Sequence, residues 1–129
     1  MGKSFDGSQV NYRHSVSRWA ELDLDKVTQL ISRKLVSGER QMLAQVYLKK
    51  GALVPRHSHE SEQLTYVLEG MLKVRVAGES VVVREGEVIR IPPGVAHQAE
   101  ALADTFELDL FSPVREEWLE GPSVQEKGR

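Results

Sequence analysis

From about residue 27 onward, short runs of Val, Ile, Leu and Tyr are broken at regular intervals by Gly, Pro and Ser. That punctuation leaves room for few helices and is the spacing of an all-β sandwich or barrel. The segments are 27–36, 41–49, 63–69, 72–77, 80–84, 87–91, 97–101 and 105–111, eight in all, which suits a jelly roll. The turns at 37–39, 69–71, 77–79 and 85–87 each carry a central glycine where a hairpin needs positive φ. Pro92-Pro93-Gly94 stops a strand abruptly.

A chain of 129 residues is the size of one domain and implies one site. The ends differ from the middle, so an N-terminal arm over 1–26, a barrel over 27–119 and a flexible tail over 120–129 are expected. The net charge of -2, from 17 basic and 19 acidic residues spread along the chain, forms no basic stripe and argues against a nucleic-acid partner. The first dozen residues lack the apolar run of a signal peptide, and no stretch reaches membrane-spanning length. A cytoplasmic protein with no membrane partner is the expectation. With no cysteine, a bound metal has only nitrogen and oxygen ligands.

Period two along 63–69 opposes Gln63, Thr65 and Val67 to Leu64, Tyr66 and Leu68. Along 105–111 it opposes Asp109 and Phe111 to Phe106, Leu108 and Leu110. If the first set of each strand faces the interior, the outer faces are apolar and call for a homodimer or for cover from the N-terminal arm. The inverted pleat, with the leucines inside and Asp109 in solvent, is an equal alternative on alternation alone.

Three of the four histidines lie beside glycine or proline turns in the β-rich half. On an extended strand His57 and His59 point the same way and can share one ion, and Gln63 stays in phase if the strand is regular. His97 comes from a distant segment, so the fold must bring it in.

The surroundings of these residues carry a family resemblance. Gly51-x5-His57-x-His59-x3-Gln63-x6-Gly70 resembles the first cupin motif, with glutamine replacing the usual glutamate. Gly86-x5-Pro92-x-Gly94-x2-His97 resembles the second, with Ala101 where an asparagine often stands. The resemblance implies a single-domain cupin, a double-stranded β-helix or jelly-roll barrel, holding one divalent ion with His57, His59, Gln63 and His97. Four neutral ligands leave the ion its full charge, which strengthens a Lewis acid and disfavours cycling through a higher oxidation state. Such a set suits Ni, Zn, Mn, Fe or Co and does not choose among them.

The stretch Asp109-Leu-Phe111-Ser-Pro-Val-Arg115-Glu resembles the D-x-F-S-P-x-R-E/D pattern that closes the barrel of small pectin-degradation cupins of the KdgF type, which also favour glutamine in the first motif. The resemblance implies ring opening of 4,5-unsaturated uronates, with Asp109 and Arg115 as catalytic residues and Phe111 against the substrate. Asp109 is suited to move a proton, and Arg115 to grip a carboxylate with two parallel hydrogen bonds. The ordinary alternative for Arg115 is a surface ion pair with Glu116, Glu117 or Glu120. Arg90, beside the second motif, is a further pocket candidate. The competing functions are an oxygen-dependent metal cupin and a non-catalytic module binding a small sugar or acid.

Overall fold

A computed structural model describes residues 13–119. It is all-β, with two antiparallel sheets and no α-helix among the described residues. A short 3-10 turn, Trp19–Glu21, leads into β1 (Asp25–Lys26), β2 (Ile31–Ser37), β3 (Met42–Leu48), β4 (Leu53–His57) and β5 (Glu62–Glu69). There follow β6 (Met71–Val76), β7 (Glu79–Arg84), β8 (Val88–Ile91), β9 (His97–Ala101), β10 (Thr105–Ser112) and a 3-10 turn, Glu116–Leu119. One sheet has the order β1-β2-β3-β10-β5-β8 and the other β4-β9-β6-β7. From β3 to β10 the chain changes sheet at every step except the β6–β7 hairpin, as in a jelly roll whose two layers share one interior.

The expected segments correspond to β2, β3 and β5 to β10. Two differences have local causes. Residues 27–30, expected in the first strand, form instead the turn between β1 and β2: the amides of Val27 and Thr28 both donate to Ile31 O, and the Leu30 amide donates to Thr28 Oγ1. β4 was not anticipated, because its five residues include Pro55 and its side chains are exposed or half-buried, so no apolar alternation marks it. The turn glycines Gly70, Gly78 and Gly86 have positive φ, whereas Gly38 does not; the Gly38 amide donates to Gln41 O, and that turn closes without a left-handed residue. The expected arm falls partly, at 1–12, and the expected tail wholly outside the described residues.

The pleat is resolved in favour of the inward carboxylate. Thr105, Glu107, Asp109 and Phe111 are buried along β10, as are Thr65 and Val67 on β5 and Met42, Ala44, Val46 and Leu48 on β3. Pairing registers stack these into rows across the inner face: Phe111 lies between Met42 and Gln63, Asp109 between Ala44 and Thr65, and Glu107 between Val46 and Val67. β10 is therefore a central strand whose inner face carries two acids. Beyond them an apolar core of Ile31, Val46, Leu48, Leu72, Val74 and their neighbours joins the two sheets. On the outer face Leu64 and Tyr66 stay exposed, and Tyr47 stacks on Phe106 with ring centroids 4.8 Å apart.

Gly70 joins β5 to β6 with φ at 102°, and a Cβ built there would run into Asp104 O and the Thr105 side chain and backbone. Gly78, at φ 82°, has nothing within 4 Å of such an atom. Gly70→Ala is accordingly expected to destabilise the barrel by about 3 kcal/mol or more, and Gly78→Ala by about 1 kcal/mol. Urea denaturation of the two variants beside the parent checks the difference.

Candidate metal centre

The second motif reaches the first through the four-stranded sheet. β4 and β9 pair with His57 opposite His97, after a register shift between Val54 and His57. Pro55, which has no amide to give to a ladder, lies in that irregular stretch. His59 is not on a strand at all, since β4 ends at His57; it lies in the connection to β5. The condition for Gln63 to stay in phase with the two histidines, a regular strand through 57–63, is thus not met, and Gln63 arrives from the opposite sheet. His59 is pinned from the second motif, whose Gly94 amide donates to His59 O at 2.8 Å. Ser61 ties the same loop to the end of β10 through a 2.6 Å hydrogen bond from its hydroxyl to Pro113 O.

The ring centroids of His57, His59 and His97 lie 4.3 to 5.4 Å apart. Each ring spends its Nδ1–H on a nearby carbonyl: His57 on Pro55 O at 2.8 Å, His59 on Ser61 O at 2.9 Å and His97 on Val95 O at 2.8 Å. That fixes the tautomer and leaves three Nε2 lone pairs turned to one place, the potential ligand atoms all lying within 4.8 Å of one another. His97 Nε2 is buried with no hydrogen-bond partner.

A second feature fits a cation. Gln63 Oε1 stands 3.0 Å from His59 Nε2, yet both atoms are acceptors. The amide cannot be turned over without loss, because Gln63 Nε2 donates to Thr65 Oγ1 at 2.8 Å, and that hydroxyl donates in turn to Asp109 Oδ1 at 2.6 Å. Protonating His59 would reconcile the contact, but burial and the nearby Arg115 charge push its pKa down. Burial likewise lowers His57 to about 4, with added repulsion from His97, Arg115 and His59, and burial followed by Arg115 lowers His97. The rings are neutral at neutral pH. An ion held by three imidazoles and the Gln63 carbonyl satisfies every one of these lone pairs, so the residues present fit a divalent metal.

The cluster opens on a cavity of about 150 Å3 between the sheets, lined also by Asp109, Phe111 and Arg115. Phe111 meets the His59 ring edge-on at 5.7 Å. Arg115 lies 4.4 Å from the centre of the Trp118 ring and 5.2 Å from that of Phe111, while its Nε and Nη2 both donate to Glu117 Oε2 at 3.0 Å. The two readings of Arg115 coexist: it faces the cavity and it makes an ion pair. Arg90 does not come to the site. On β8 the inward residues are Ile89 and Ile91, so period two turns Arg90 out, where it donates to Glu62 at 2.7 Å. Three other lining residues, Arg33, Glu107 and Trp118, were not singled out from the sequence. Glu107 shares the phase of Asp109 along β10, and that signal was available.

Two interleaved antiparallel sheets around an interior three-histidine cluster define a metal-competent jelly-roll protein. The chain belongs to the cupin family: residues 44–112 match the cupin domain. It is similar to KdgF from Halomonas sp., with 32% identity over 82% of this chain and 99% of that one and a TM-score of 0.77. An RmlC-like cupin from Shewanella frigidimarina is 27% identical over 82% of this chain and 96% of that one, also with a TM-score of 0.77. An uncharacterised protein of Methanocaldococcus jannaschii is 29% identical over 79 residues, 60% of this chain; the match spans only 63% of that protein.

Protein purified without chelator is expected to carry one divalent ion per chain by elemental mass spectrometry. His57→Ala and His97→Ala lose it, and Arg90→Ala keeps it. Adding metal to stripped protein at a hundredfold excess over its dissociation constant is expected to stabilise the fold by about 2.7 kcal/mol, read as a rise in Tm that the histidine variants do not show.

Proposed function

We propose that this cupin is a metal-dependent enzyme that opens the ring of 4,5-unsaturated uronates, as the KdgF-type resemblance implies. The observation that carries the reading is the shared cavity: Asp109, Phe111 and Arg115 line the same small space as His57, His97 and Gln63, and His59 touches it through its edge-on contact with Phe111. A bound divalent ion, held by His57, His59, His97 and Gln63, would supply positive charge for an oxygen that turns anionic during the reaction.

The chain's own groups account for the rest. Asp109 is buried, which raises its pKa, while the neighbouring Glu107 carboxyl, the Thr65 hydroxyl and the charge of Arg115 act the other way. As a carboxylate it removes the proton of the anomeric hydroxyl. The C1–O bond to the ring oxygen then breaks, C1 becomes a carbonyl, and the released electron pair forms an enolate over the former enol ether. Protonation of that enolate at C4 gives the open-chain keto acid, an isomer of the substrate, so no oxidant or water is consumed. Arg115 holds the substrate carboxylate. Its Nε and Nη2 edge is taken by Glu117, but that side chain is 58% exposed, and a pair of that kind is displaced at little cost. Phe111 packs against the ring and keeps water out.

Addition of 4,5-unsaturated galacturonate to the metal-loaded protein is expected to bleach the enol-ether ultraviolet absorbance, with chelation abolishing the change and metal restoring it. Asp109→Asn keeps the metal and loses at least about a hundredfold in kcat. Arg115→Lys raises KM about tenfold, because one bidentate contact becomes a point charge, and Glu117→Gln lowers KM. Full metal content with no absorbance change across a panel of uronates overturns the reading and leaves oxygen uptake or ligand binding to be followed.

We infer too that the apolar outer face around Leu64, Tyr66, Leu108 and Leu110 is covered by a second copy of the chain. Light scattering is expected to give a dimer mass, reduced to the monomer by Leu64→Lys; a monomeric parent protein sinks this inference.

A further inference from the structure

Glu107 takes no part in the chemistry above, yet it is the other acid on the cavity wall among the described residues. It precedes Asp109 by one inward step of β10 and is 6% exposed, so the two carboxyls are buried neighbours on the same face of the strand. Two buried carboxyls side by side repel when both are ionised and are most stable with one proton between them. The surroundings decide which one keeps it. Asp109 accepts the Thr65 hydroxyl at 2.6 Å and feels Arg115, and both favour its ionised form. Glu107 has neither, and its Oε1 is buried with no partner, an arrangement that suits a neutral acid far better than an anion. Burial and the charge of Asp109 both press Glu107 towards its protonated form.

The other elements packed on the pair do not reverse this. Ala44 and Val46 on β3 and Val67 on β5 carry no charge. His57 and His97 line the far wall as neutral rings. Arg33 on β2 lies in the row of Val46 and Glu107 but is engaged with Asp25 at 3.2 Å and lies over the Trp118 ring at 3.9 Å.

We propose that Glu107 is a permanently protonated positioning residue, whose O–H donates to Asp109 and holds it as an oriented carboxylate ready to take the substrate proton. The proposal deepens the uronate reading and rests on Asp109 being the base. Its sign follows from the geometry. Donation to the Asp109 carboxylate favours the ionised form, so removing the donor raises the Asp109 pKa and moves the acidic limb of kcat/KM to higher pH. Glutamine still offers an N–H donor, whereas leucine fills the space and offers none.

Infrared difference spectra of the full-length protein, metal-loaded and metal-stripped, test the proton's location without any substrate. The carbonyl stretch of a buried neutral carboxylic acid is expected at and above neutral pH, present in the parent and in Asp109→Asn, and absent in Glu107→Gln. No such band, or a band lost in Asp109→Asn and kept in Glu107→Gln, overturns the proposal. In kinetics, Glu107→Leu is expected to move the acidic limb up by about one pH unit, with metal content unchanged, while Glu107→Gln leaves the limb in place. A limb that stays put in Glu107→Leu, or moves equally in Glu107→Gln, also overturns it. Should Glu107→Leu fail to fold, the infrared comparison decides on Glu107→Gln alone. Should no uronate be turned over, the band still reports on Glu107, and only the functional reading fails.

Discussion

Each histidine of the cluster gives its Nδ1 proton to a carbonyl two residues away in the chain, and the character of the site depends on those three bonds. Pro55 O and Val95 O precede their histidines, and Ser61 O follows His59. All three lie in turns or irregular backbone, where a carbonyl is free of the sheet ladder and available to a side chain. Once the proton is committed, the ring has one lone pair left and one direction for it. Burial keeps the rings neutral, so the convergence of those lone pairs is a standing repulsion that a cation relieves. The backbone of two distant motifs thus prepares a coordination site before any ion arrives.

Glutamine at position 63 extends this preparation to the neighbouring acid. Its carbonyl faces the histidines because its amide nitrogen is committed to Thr65, whose hydroxyl is committed to Asp109. Donors and acceptors along the chain of bonds run in one direction only. A carboxylate at position 63 has no hydrogen to give Thr65, so it would break this ordering as well as adding negative charge beside Asp109. The same glutamine that would leave a bound metal its full charge therefore connects the histidine side of the cavity to Asp109.

How much of this was legible depended on regularity. β5 and β10 are long, flat in pattern and buried on one face, so period two placed Gln63, Thr65, Asp109 and Phe111 correctly relative to one another. Alternation could not say which face was inside; burial of Asp109 beside Thr65 answers that, and only tertiary pairing supplies it. β4 was invisible because an edge strand with Pro55 and exposed side chains has no apolar pattern. The spacing of His57 and His59 was suggestive for a reason that does not hold, since His59 sits in a loop and is oriented by Gly94 and Ser61, contacts from distant parts of the chain. Arg90 failed by one residue of phase. Glu107 was readable from the same alternation as Asp109, but an acid with no motif around it gave no reason to look.

Burying two acids in a barrel of this size is costly, and their placement shows how the cost is contained. They lie on β10, flanked on both sides by β3 and β5, so neither backbone nor side chain can retreat to an edge. One proton shared within the pair leaves a single net charge to stabilise, and the Thr65 hydroxyl together with the nearby Arg115 does so. Arg115 comes from the chain after β10, and Trp118 from the 3-10 turn that follows; Trp118 meets Phe111 edge-on at 5.0 Å and packs against both Arg33 and Arg115, closing that end of the cavity. The two acids are thus on a strand, and Arg115, which in the proposed reaction would exchange Glu117 for a substrate carboxylate, is on the short connection between β10 and the 3-10 turn. In the proposed reaction the base has to be in place before the ligand arrives and the clamp has to let go afterwards, and a rigid floor with an adjustable cation at its mouth suits that division.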